Sequence, residues 1–328
     1  MVWRLTVPLY FSIRLRLQCS ARHFHKIDHF GGFVDASVII VNYNTGDILA
    51  DCLRSVLSQT GVSFDVIVID NASQDNSVAV LESFADSIEI IRNGENSGFG
   101  KANNLAFQRS NGRYIFLLNP DALFTASTDL QNIVAFMDVH TEYGLAGTRI
   151  LKSQVQTEGH SFLSYPGQRY LTRPLPSLPG HIAWVLGASM IIRRNVYEQS
   201  RGFDEDYFLY GEEADLCLRI RKLGYAIGFC KNVVISHIGG ASERSVDIEA
   251  IQIKKQRGLH LFYCKHYDPI DVVRLVKRDR RRALLRLVLI KAKKMFFQLT
   301  ERQLKRYCTY KAVFRCSTQF LATYQKKN

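Results

Sequence analysis

The sequence predicts an α/β protein with a single Rossmann-like domain, a mostly parallel central sheet and a basic amphipathic helical tail. Strand-like and helix-like segments alternate between residues 37 and 118, and these strands are apolar throughout. Such strands are typical of a parallel sheet that helices cover on both faces. With 328 residues, the chain is long enough for one large domain or two and buries a sizeable core without disulfides.

Apolar patterning assigns the elements in order along the chain. Aliphatic runs predict buried strands at 37–41, 66–69, 88–91 and 114–118. Apolar positions three and four residues apart predict helices at 48–57, 77–84 and 102–109. After about residue 150 we expect a proline-rich loop at 161–180, strands at 185–192, 226–229 and 233–236, and a helix at 211–224.

The net charge of +13 is concentrated at the C-terminus. Residues 270–328 contain 17 Lys and Arg but only 3 Asp and Glu, a net charge of +14, so the rest of the chain is nearly neutral at −1. Because aliphatic side chains interleave with these cations, we expect the tail to bind an anionic membrane surface. Nucleic acid is excluded as a partner, since stacking aromatics do not interleave densely with the basic residues.

We therefore divide the chain into a leader (1–34), a globular domain (35–268) and a tail (269–328). The leader is expected to be disordered or weakly membrane-associated, and no run of 18 apolar residues predicts a spanning helix. Seven cysteines without a CxxC pair argue against a disulfide framework or a zinc site and favour a reducing compartment.

Polar residues follow the ends of the first two predicted strands, where parallel sheets bind ligands. Tyr43 and Asn44 follow the first strand, and Asp70 follows the second. A ring that stacks on a nucleobase, beside a carboxylate that accepts an imide N–H, would suit uracil or thymine. The alternative is turn chemistry, which Asn and Asp also favour.

The segment 94–104, GENSGFGKANN, places a glycine-rich turn before a predicted helix. Its backbone N–H groups could cradle a phosphate, with Asn96, Gly98, Lys101 and Asn104 as candidate contacts. A tight loop without a ligand is the alternative.

The fourth strand is followed by Asn119-Pro120-Asp121, and His237 follows a later strand. One carboxylate at such a strand end suits Mg²⁺ on a diphosphate, and a neutral imidazole is a further metal ligand. A strand-to-helix turn and a structural histidine are the alternatives.

Acidic residues cluster at the start of the helix expected at 211–224. Glu212, Glu213 and Asp215 fall in its first turn, where the helix dipole favours an ionised carboxylate. An ionised carboxylate can act as a general base. Ordinary helix capping would give the same pattern.

The order of these segments, SVIIVNYN, VIDNASQDNS, NSGFGKANN, FLLNPDA, WVLGASMIIRR, GFDEDYFLYGEEADLCLRIRKLGY and SHIGGAS, resembles inverting family 2 glycosyltransferases of the GT-A fold. The likeness is to the bacterial rhamnosyltransferase-type branch and covers residues 36–267. It implies a nucleotide-sugar-binding domain in which Asp121 and His237 hold Mg²⁺ or Mn²⁺, with Asn119 in place of a first carboxylate. It also implies Tyr43 and Asp70 at the base, Glu213 as catalytic base, and an acceptor side lined by Trp184, Gly187 and Ala188.

The expected function is transfer of a sugar, with L-rhamnose as a candidate, from a dTDP- or UDP-sugar to a glycan or polyprenyl-diphosphate-linked acceptor. The resemblance implies inversion, a role in O-antigen or exopolysaccharide biosynthesis, and a cytoplasmic protein peripheral to the inner face of the cell membrane. A degenerate member that binds nucleotide or glycan without catalysis is the alternative. A nicotinamide dehydrogenase is disfavoured because no complete glycine fingerprint follows a strand.

Overall fold

A computed structural model of the protein describes residues 33–152, 155–159, 161–241 and 247–324. The predicted leader lies outside this part of the chain except for its last two residues. The described residues form one compact unit, which includes the basic C-terminal segment.

The strands and helices follow the predicted alternation in the first half of the chain. The described strands are β1 (Ala36–Asn42), β2 (Phe64–Asp70), β3 (Glu89–Arg92), β4 (Tyr114–Leu118), β5 (Ala122–Phe124), β6 (Tyr143–Lys152), β7 (Val155–Gly159), β8 (Ser189–Arg193) and β9 (Ala226–His237). The described helices are α1 (Gly46–Leu57), α2 (Ser77–Glu82), α3 (Phe99–Phe107), α4 (Asp129–Val139), α5 (Arg194–Gln199), α6 (Glu212–Lys222), α7 (Ile248–His266), α8 (Pro269–Phe296) and α9 (Glu301–Tyr324).

The strands form one sheet in the order β3-β2-β1-β4-β8-β6-β9-β5, with β7 paired to β6. Strands β1 to β4, β6 and β9 run in the same direction, while β5, β7 and β8 run against them. Alternate residues of β1 enter two separate hydrophobic clusters, since Val38 and Ile40 pack on one face of the sheet and Ile39 and Val41 on the other. Burial on both faces explains why these strands are continuously apolar.

Two predicted elements differ from the observed ones. The two short strands expected at 226–236 are a single strand, β9, whose pairing with β6 shifts register between Thr148 and Arg149. Lys231 and Asn232 are exposed at this irregularity, so their polarity resembles a break between two strands. Within 185–192 only the part from Ser189 is strand β8, and the three residues directly before it line a cleft.

The first half of α8 belongs to a third hydrophobic cluster. Val272, Leu275 and Val276 pack there with residues of α6 and α7 and with Leu321 of α9. Asp271 accepts hydrogen bonds from the backbone N (3.0 Å) and the hydroxyl (2.8 Å) of Thr172. The start of the basic segment is therefore anchored to the body of the protein.

Helices α8 and α9 form a hairpin, and α9 runs parallel to α7. The hairpin follows from the short connection after Phe296 and from the packing of Leu321 against the start of α8. The parallel course follows from two contacts: Glu249 pairs with Lys311 (2.8 Å), and the ring of His260 packs on Phe320 (centroids 4.8 Å apart). As a result, the last turns of α8 lie at the same end of this group of helices as the first turns of α7 and α9.

Candidate active site

A cleft of about 1220 Å³ opens at the carboxyl ends of β1, β4 and β9. The loop before α6, the start of α6 and one face of α7 complete its walls. Eleven of the residues proposed from the sequence line it: Tyr43, Asn96, Gly98, Asn119, Asp121, Trp184, Gly187, Ala188, Glu212, Glu213 and His237. The lining does not include Asn44, Asp70, Lys101, Asn104 or Asp215.

Asp70 lies beneath the loop that carries Tyr43, with 4% of its surface exposed. Its carboxylate accepts hydrogen bonds from Asn42 Nδ2 (2.8 Å) and from the backbone N of Ser73 (3.2 Å). Ser73 Oγ in turn accepts from the backbone N of Asn44 (3.0 Å), whose φ is +53°. Parallel pairing of Asn42 with Asp70 brings these groups together, so Asp70 supports the loop under Tyr43 instead of lining the cleft.

Some residues of the 94–104 segment line the cleft, and others bond to neighbouring parts of the fold. Gly98 is the N-cap of α3 with φ of +85°, and a methyl group there would lie 2.3 Å from the carbonyl oxygen of Phe208. Asn96 accepts from the backbone N of Gly98 (3.1 Å). In contrast, Asn104 Nδ2 donates a hydrogen bond to the Phe203 carbonyl oxygen, and Asn104 Oδ1 accepts one from the Phe203 backbone N, each at 2.9 Å. Lys101 is exposed and lies outside the cleft lining. The predicted phosphate contacts of Lys101 and Asn104 therefore have no counterpart in the cleft lining.

Asp121 and His237 face each other in the cleft. His237 Nε2 lies 3.1 Å from Asp121 Oδ1 and 3.4 Å from Asn119 Nδ2. Antiparallel pairing of β5 with β9 places residue 237 opposite residue 122, one position from Asp121. Burial alone would raise the pKa of Asp121, but the hydrogen bond and charge of His237 outweigh it and hold this pKa below its usual value. Asp121 is therefore ionised at neutral pH.

The donor set at this point fits a divalent cation that is shared with a substrate. Among the described residues, no group of three or more His, Cys, Asp or Glu is arranged to hold a metal ion. One carboxylate and one imidazole leave most coordination positions for diphosphate oxygens and water, which is the usual arrangement for Mg²⁺ with nucleotides.

Glu212 and Glu213 begin α6 and have different surroundings. Glu212 is 2% exposed, and its Oε2 has no hydrogen-bond partner among the described residues. Burial and the neighbouring charge of Glu213 raise the pKa of Glu212 well above the usual glutamate value. Burial also raises the pKa of Glu213, against backbone hydrogen bonds from Gly211 and Gly187. Glu213 is the more accessible of the two, which suits a group that must reach a substrate hydroxyl.

Asp215, the third carboxylate, is bonded to side chains of the fold and lies outside the cleft lining. It lies 2.7 Å from His266 Nε2 and accepts a hydrogen bond from Arg219 Nε (2.8 Å). Burial raises its pKa, but the bonds from His266 and Arg219 outweigh burial and keep the pKa below its usual value. A catalytic role for Asp215 has no support in this geometry.

The residues predicted for the acceptor side adjoin Glu213. A methyl group at Gly187 would lie 2.8 Å from Glu213 Cγ, so a larger residue there would displace the Glu213 side chain from its present position. Trp184 stacks on Phe162 with ring centroids 3.8 Å apart and an interplanar angle of 6°. The segment 184–188 thus forms a wall beside the candidate base.

Several lining residues were not proposed from the sequence. They come from the loop before α6 (Phe208, Leu209, Tyr210), the loop after His237 (Ile238, Gly239, Gly240, Ala241), α7 (Ile248, Ile251, Gln252, Lys254, Lys255) and α9 (Lys305, Thr309). The aromatic run before Glu212 is visible in the sequence, but only the packing of α7 shows that the C-terminal helices reach the site.

Comparison with solved structures shows that this fold is of the GT-A type, as expected. The described fold is similar to the mannosyltransferase PcManGT of Pyrobaculum calidifontis, solved with GDP-Man and Mn²⁺. The TM-score is 0.52 at 17% identity, over 90% of this chain and 76% of that one.

The family follows from the sequence comparison. Residues 37–201, half of the chain, match the model of Glycosyl transferase family 2, and the protein belongs to that family. It is 28% identical to the low-salt glycan biosynthesis hexosyltransferase Agl10 of Haloferax volcanii, over 62% of this chain and 67% of that one. It is 24% identical to the N-acetylglucosaminyl-diphospho-decaprenol L-rhamnosyltransferase of Mycobacterium tuberculosis, over 61% and 75%.

Proposed function

We propose that the protein transfers a sugar from a nucleoside diphosphate, with dTDP and UDP as the candidate nucleotides, to a lipid-linked glycan acceptor with inversion at the anomeric carbon. The observation that carries this proposal is a single cleft lined by the ionised Asp121 beside His237 and by the carboxylate pair at the start of α6. L-Rhamnose is the candidate sugar, because a relative at 24% identity is named for its transfer to a diphospho-decaprenol-linked sugar.

Donor binding is assigned to the strand-end side of the cleft. Tyr43 would stack on the base, and Asn96 and the N–H groups near Gly98 would contact the ribose or phosphates. Asp121 and His237, with Asn119 nearby, would hold a divalent cation, which would supply neutralisation of charge on the leaving diphosphate. The mannosyltransferase of similar fold was solved with Mn²⁺ and a nucleotide sugar, which supports this assignment.

The chemical step needs one base and no enzyme nucleophile. Glu213 takes the proton of the acceptor hydroxyl, and the hydroxyl oxygen forms a bond to the anomeric carbon. The bond from that carbon to the diphosphate oxygen breaks, and its electron pair leaves with the nucleoside diphosphate. One displacement inverts the anomeric carbon. The raised pKa of Glu213 makes it a stronger base than an exposed glutamate.

The acceptor is proposed to be met at an anionic membrane surface. The second half of α8 exposes Leu284, Leu285, Val288 and Leu289, which share one helix face, among arginines and lysines. Amphipathic helices of this kind lie in the membrane interface. None of the described helices is both long and apolar enough to cross a bilayer.

Calorimetric titration with UDP-, dTDP- and GDP-sugars, each with Mn²⁺, Mg²⁺ or EDTA, tests the donor assignment. We expect pyrimidine donors to bind only with metal, and Asp121→Asn to weaken that binding by at least about ten-fold. Equal binding of GDP-sugars would contradict the pyrimidine pocket, and full binding in EDTA would contradict the cation site. Binding without transfer to any diphospholipid-linked sugar would favour the non-catalytic alternative.

A further inference from the structure

The face of α7 that lines the cleft changes from apolar to cationic along the helix. Ile248 and Ile251 are half-buried, and Lys255, one turn further on, is exposed. All three line the cleft. Gly258, the next residue on this face, packs so closely on the loop before α6 that a methyl group there would lie 1.8 Å from the Tyr210 carbonyl oxygen. Residues three or four apart share a helix face, so an apolar section, a cationic section and the loop contact follow one another.

The cationic section, Lys254 and Lys255, lies beside the loop that leads to Glu212 and Glu213. Lys254 Nζ is 5.8 Å from the ring centroid of Phe208, and Lys255 Nζ is 4.7 Å from that of Tyr210. Asp121 and His237, assigned to the donor diphosphate, come instead from the ends of β4 and β9. Tyr210 is two residues before Glu212, whereas Phe208, beside Lys254, also packs against Gly98 on the donor side. Because the base must touch the acceptor, Lys255 belongs to the acceptor side, and Lys254 lies where the two sides of the cleft meet.

The apolar section, Ile248 and Ile251, points toward the free end of the α8–α9 hairpin. Since α7 and α9 are parallel and α8 returns against α9, the first turn of α7 lies toward this end. There Leu289, Met295, Phe297 and Leu304 are exposed by 49–79%. At 1.5 Å per residue, Ile248 lies about 10 Å along the axis from Lys255, in the direction of these exposed side chains.

We infer that this face of α7 binds a phosphate-bearing isoprenoid acceptor, with the phosphate on Lys254 and Lys255 and the hydrocarbon chain along Ile248 and Ile251. The chain leaves toward the exposed end of the hairpin, and the sugar attached to the phosphate reaches Glu213. Lysine ammonium groups bind phosphate as point charges. This inference rests on the proposed function, because it assigns the acceptor of that same transfer.

The probes are farnesyl diphosphate, farnesol and inorganic diphosphate, titrated calorimetrically into the full chain in EDTA and again with saturating UDP. We expect farnesyl diphosphate to bind with UDP present, and Lys255→Gln or Lys254→Gln to weaken it about ten-fold without changing farnesol. Ile251→Asn should weaken both farnesyl probes and leave inorganic diphosphate unchanged. Lys231→Gln, an exposed lysine of β9 outside the cleft lining, is the matched control and should change none of them.

The inference is overturned if the wild type does not bind farnesyl diphosphate, or if both lysine variants bind it like the wild type. It is also overturned if UDP displaces farnesyl diphosphate and the same variants weaken UDP, since the lysines would then serve the donor. Failure of the proposed function would show separately, as absence of metal-dependent nucleotide-sugar binding by the wild type.

Discussion

Glu212 and Glu213 are neighbours in the chain, yet the fold gives them different surroundings. Glu212 is buried with one oxygen lacking a partner among the described residues, whereas Glu213 is more accessible and touches Gly187. Two carboxylates this close do not both ionise readily, because each charge opposes the other. The arrangement keeps Glu212 protonated more readily and leaves Glu213 as the proposed base.

Glu213→Gln is expected to lower kcat about 10²–10⁴-fold and to leave donor binding nearly unchanged, because the amide keeps the size of the side chain and loses its basicity. Steady-state kinetics with calorimetric donor titration separates the two effects. Glu212→Gln is the control and should retain most of the turnover. The reverse result, with turnover lost only in Glu212→Gln, would assign the base to Glu212.

The pH dependence of the melting temperature should show whether Glu212 is protonated in the folded protein. Its pKa is raised in the folded state, so its protonated form contributes stability that is present at low pH and lost as the pH rises through the folded-state pKa. We expect the melting temperature of Glu212→Gln, relative to wild type, to rise between pH 5 and pH 8. The gain should be about 1–3 kcal/mol, which corresponds to roughly 2–6 °C.

Asp215→Asn provides the opposite sign in the same experiment. The pKa of Asp215 is lowered in the folded state, so its contribution is present at neutral pH and lost as the pH falls through that pKa. Its variant should be less stable than wild type at pH 8, with a smaller difference in acid. Parallel pH dependence of the two variants would contradict the assigned protonation states.

At the scale of elements, the cleft depends on how α7 meets the loop before α6. Tyr210 has φ of +72° and Gly211 of +104°, so this turn is held in a conformation that non-glycine residues rarely adopt. The backbone of Gly258 lies directly against the Tyr210 carbonyl. Close contact between two backbones therefore fixes the position from which α6 presents its carboxylates.

Gly258→Ala is expected to reduce kcat/KM about ten-fold or more by displacing this loop, although alanine by itself favours a helix by ~1 kcal/mol. Kinetics and thermal melts should be compared with Gly94→Ala, where an added methyl group meets nothing within 4 Å. Wild-type activity in Gly258→Ala would show that the loop position does not matter for catalysis.

At the scale of the whole molecule, the basic segment has two parts with different environments. Its first turns are anchored in the third hydrophobic cluster, while the later turns of α8 expose leucines to solvent. Removing all residues after 268 would also remove Val272, Leu275 and Val276. The apolar residues of α6 and α7 that pack against them would then be exposed to solvent. Substitutions on the exposed face test membrane binding without that damage.

Leu285→Gln with Leu289→Gln, in the full chain, should weaken flotation with anionic liposomes. Burying a leucine in an apolar phase stabilises by ~1.5–3 kcal/mol, so each loss corresponds to about ten-fold or more in binding. High salt should weaken the wild type further, because basic residues contribute about 1 kcal/mol each near an anionic leaflet. Val139→Gln with Leu163→Gln, two exposed apolar sites elsewhere, is the matched control. Equal flotation of both double variants would contradict the assigned surface.

Local pattern was sufficient for the strands and helices up to residue 118. Tyr43, Asp121, Glu213 and His237 were proposed from the sequence because strand ends and helix starts are visible as changes in residue type, and all four line the cleft. The order of motifs resembled one family, to which the chain belongs. Asp70 and Asn104, proposed as direct contacts, lie outside the cleft lining and bond to neighbouring segments of the fold. A polar residue at a strand end, such as Asp70, or in a helix, such as Asn104, can either face a ligand or bond to the surrounding protein. Sequence pattern does not distinguish these two outcomes.

The sequence by itself determined the sheet-forming half of the fold, the family and the uneven charge, since these depend on periodicity, residue order and composition. Tertiary structure alone decided that Glu212 and Glu213 line the cleft and that Asp215 does not, because burial and hydrogen bonds to residues such as His266 come from distant parts of the chain. It also decided that α7 lines the cleft, because contact between Gly258 and Tyr210 joins segments about 50 residues apart. Periodicity is a property of neighbours in sequence, whereas the two sides of this cleft are neighbours only in the folded chain.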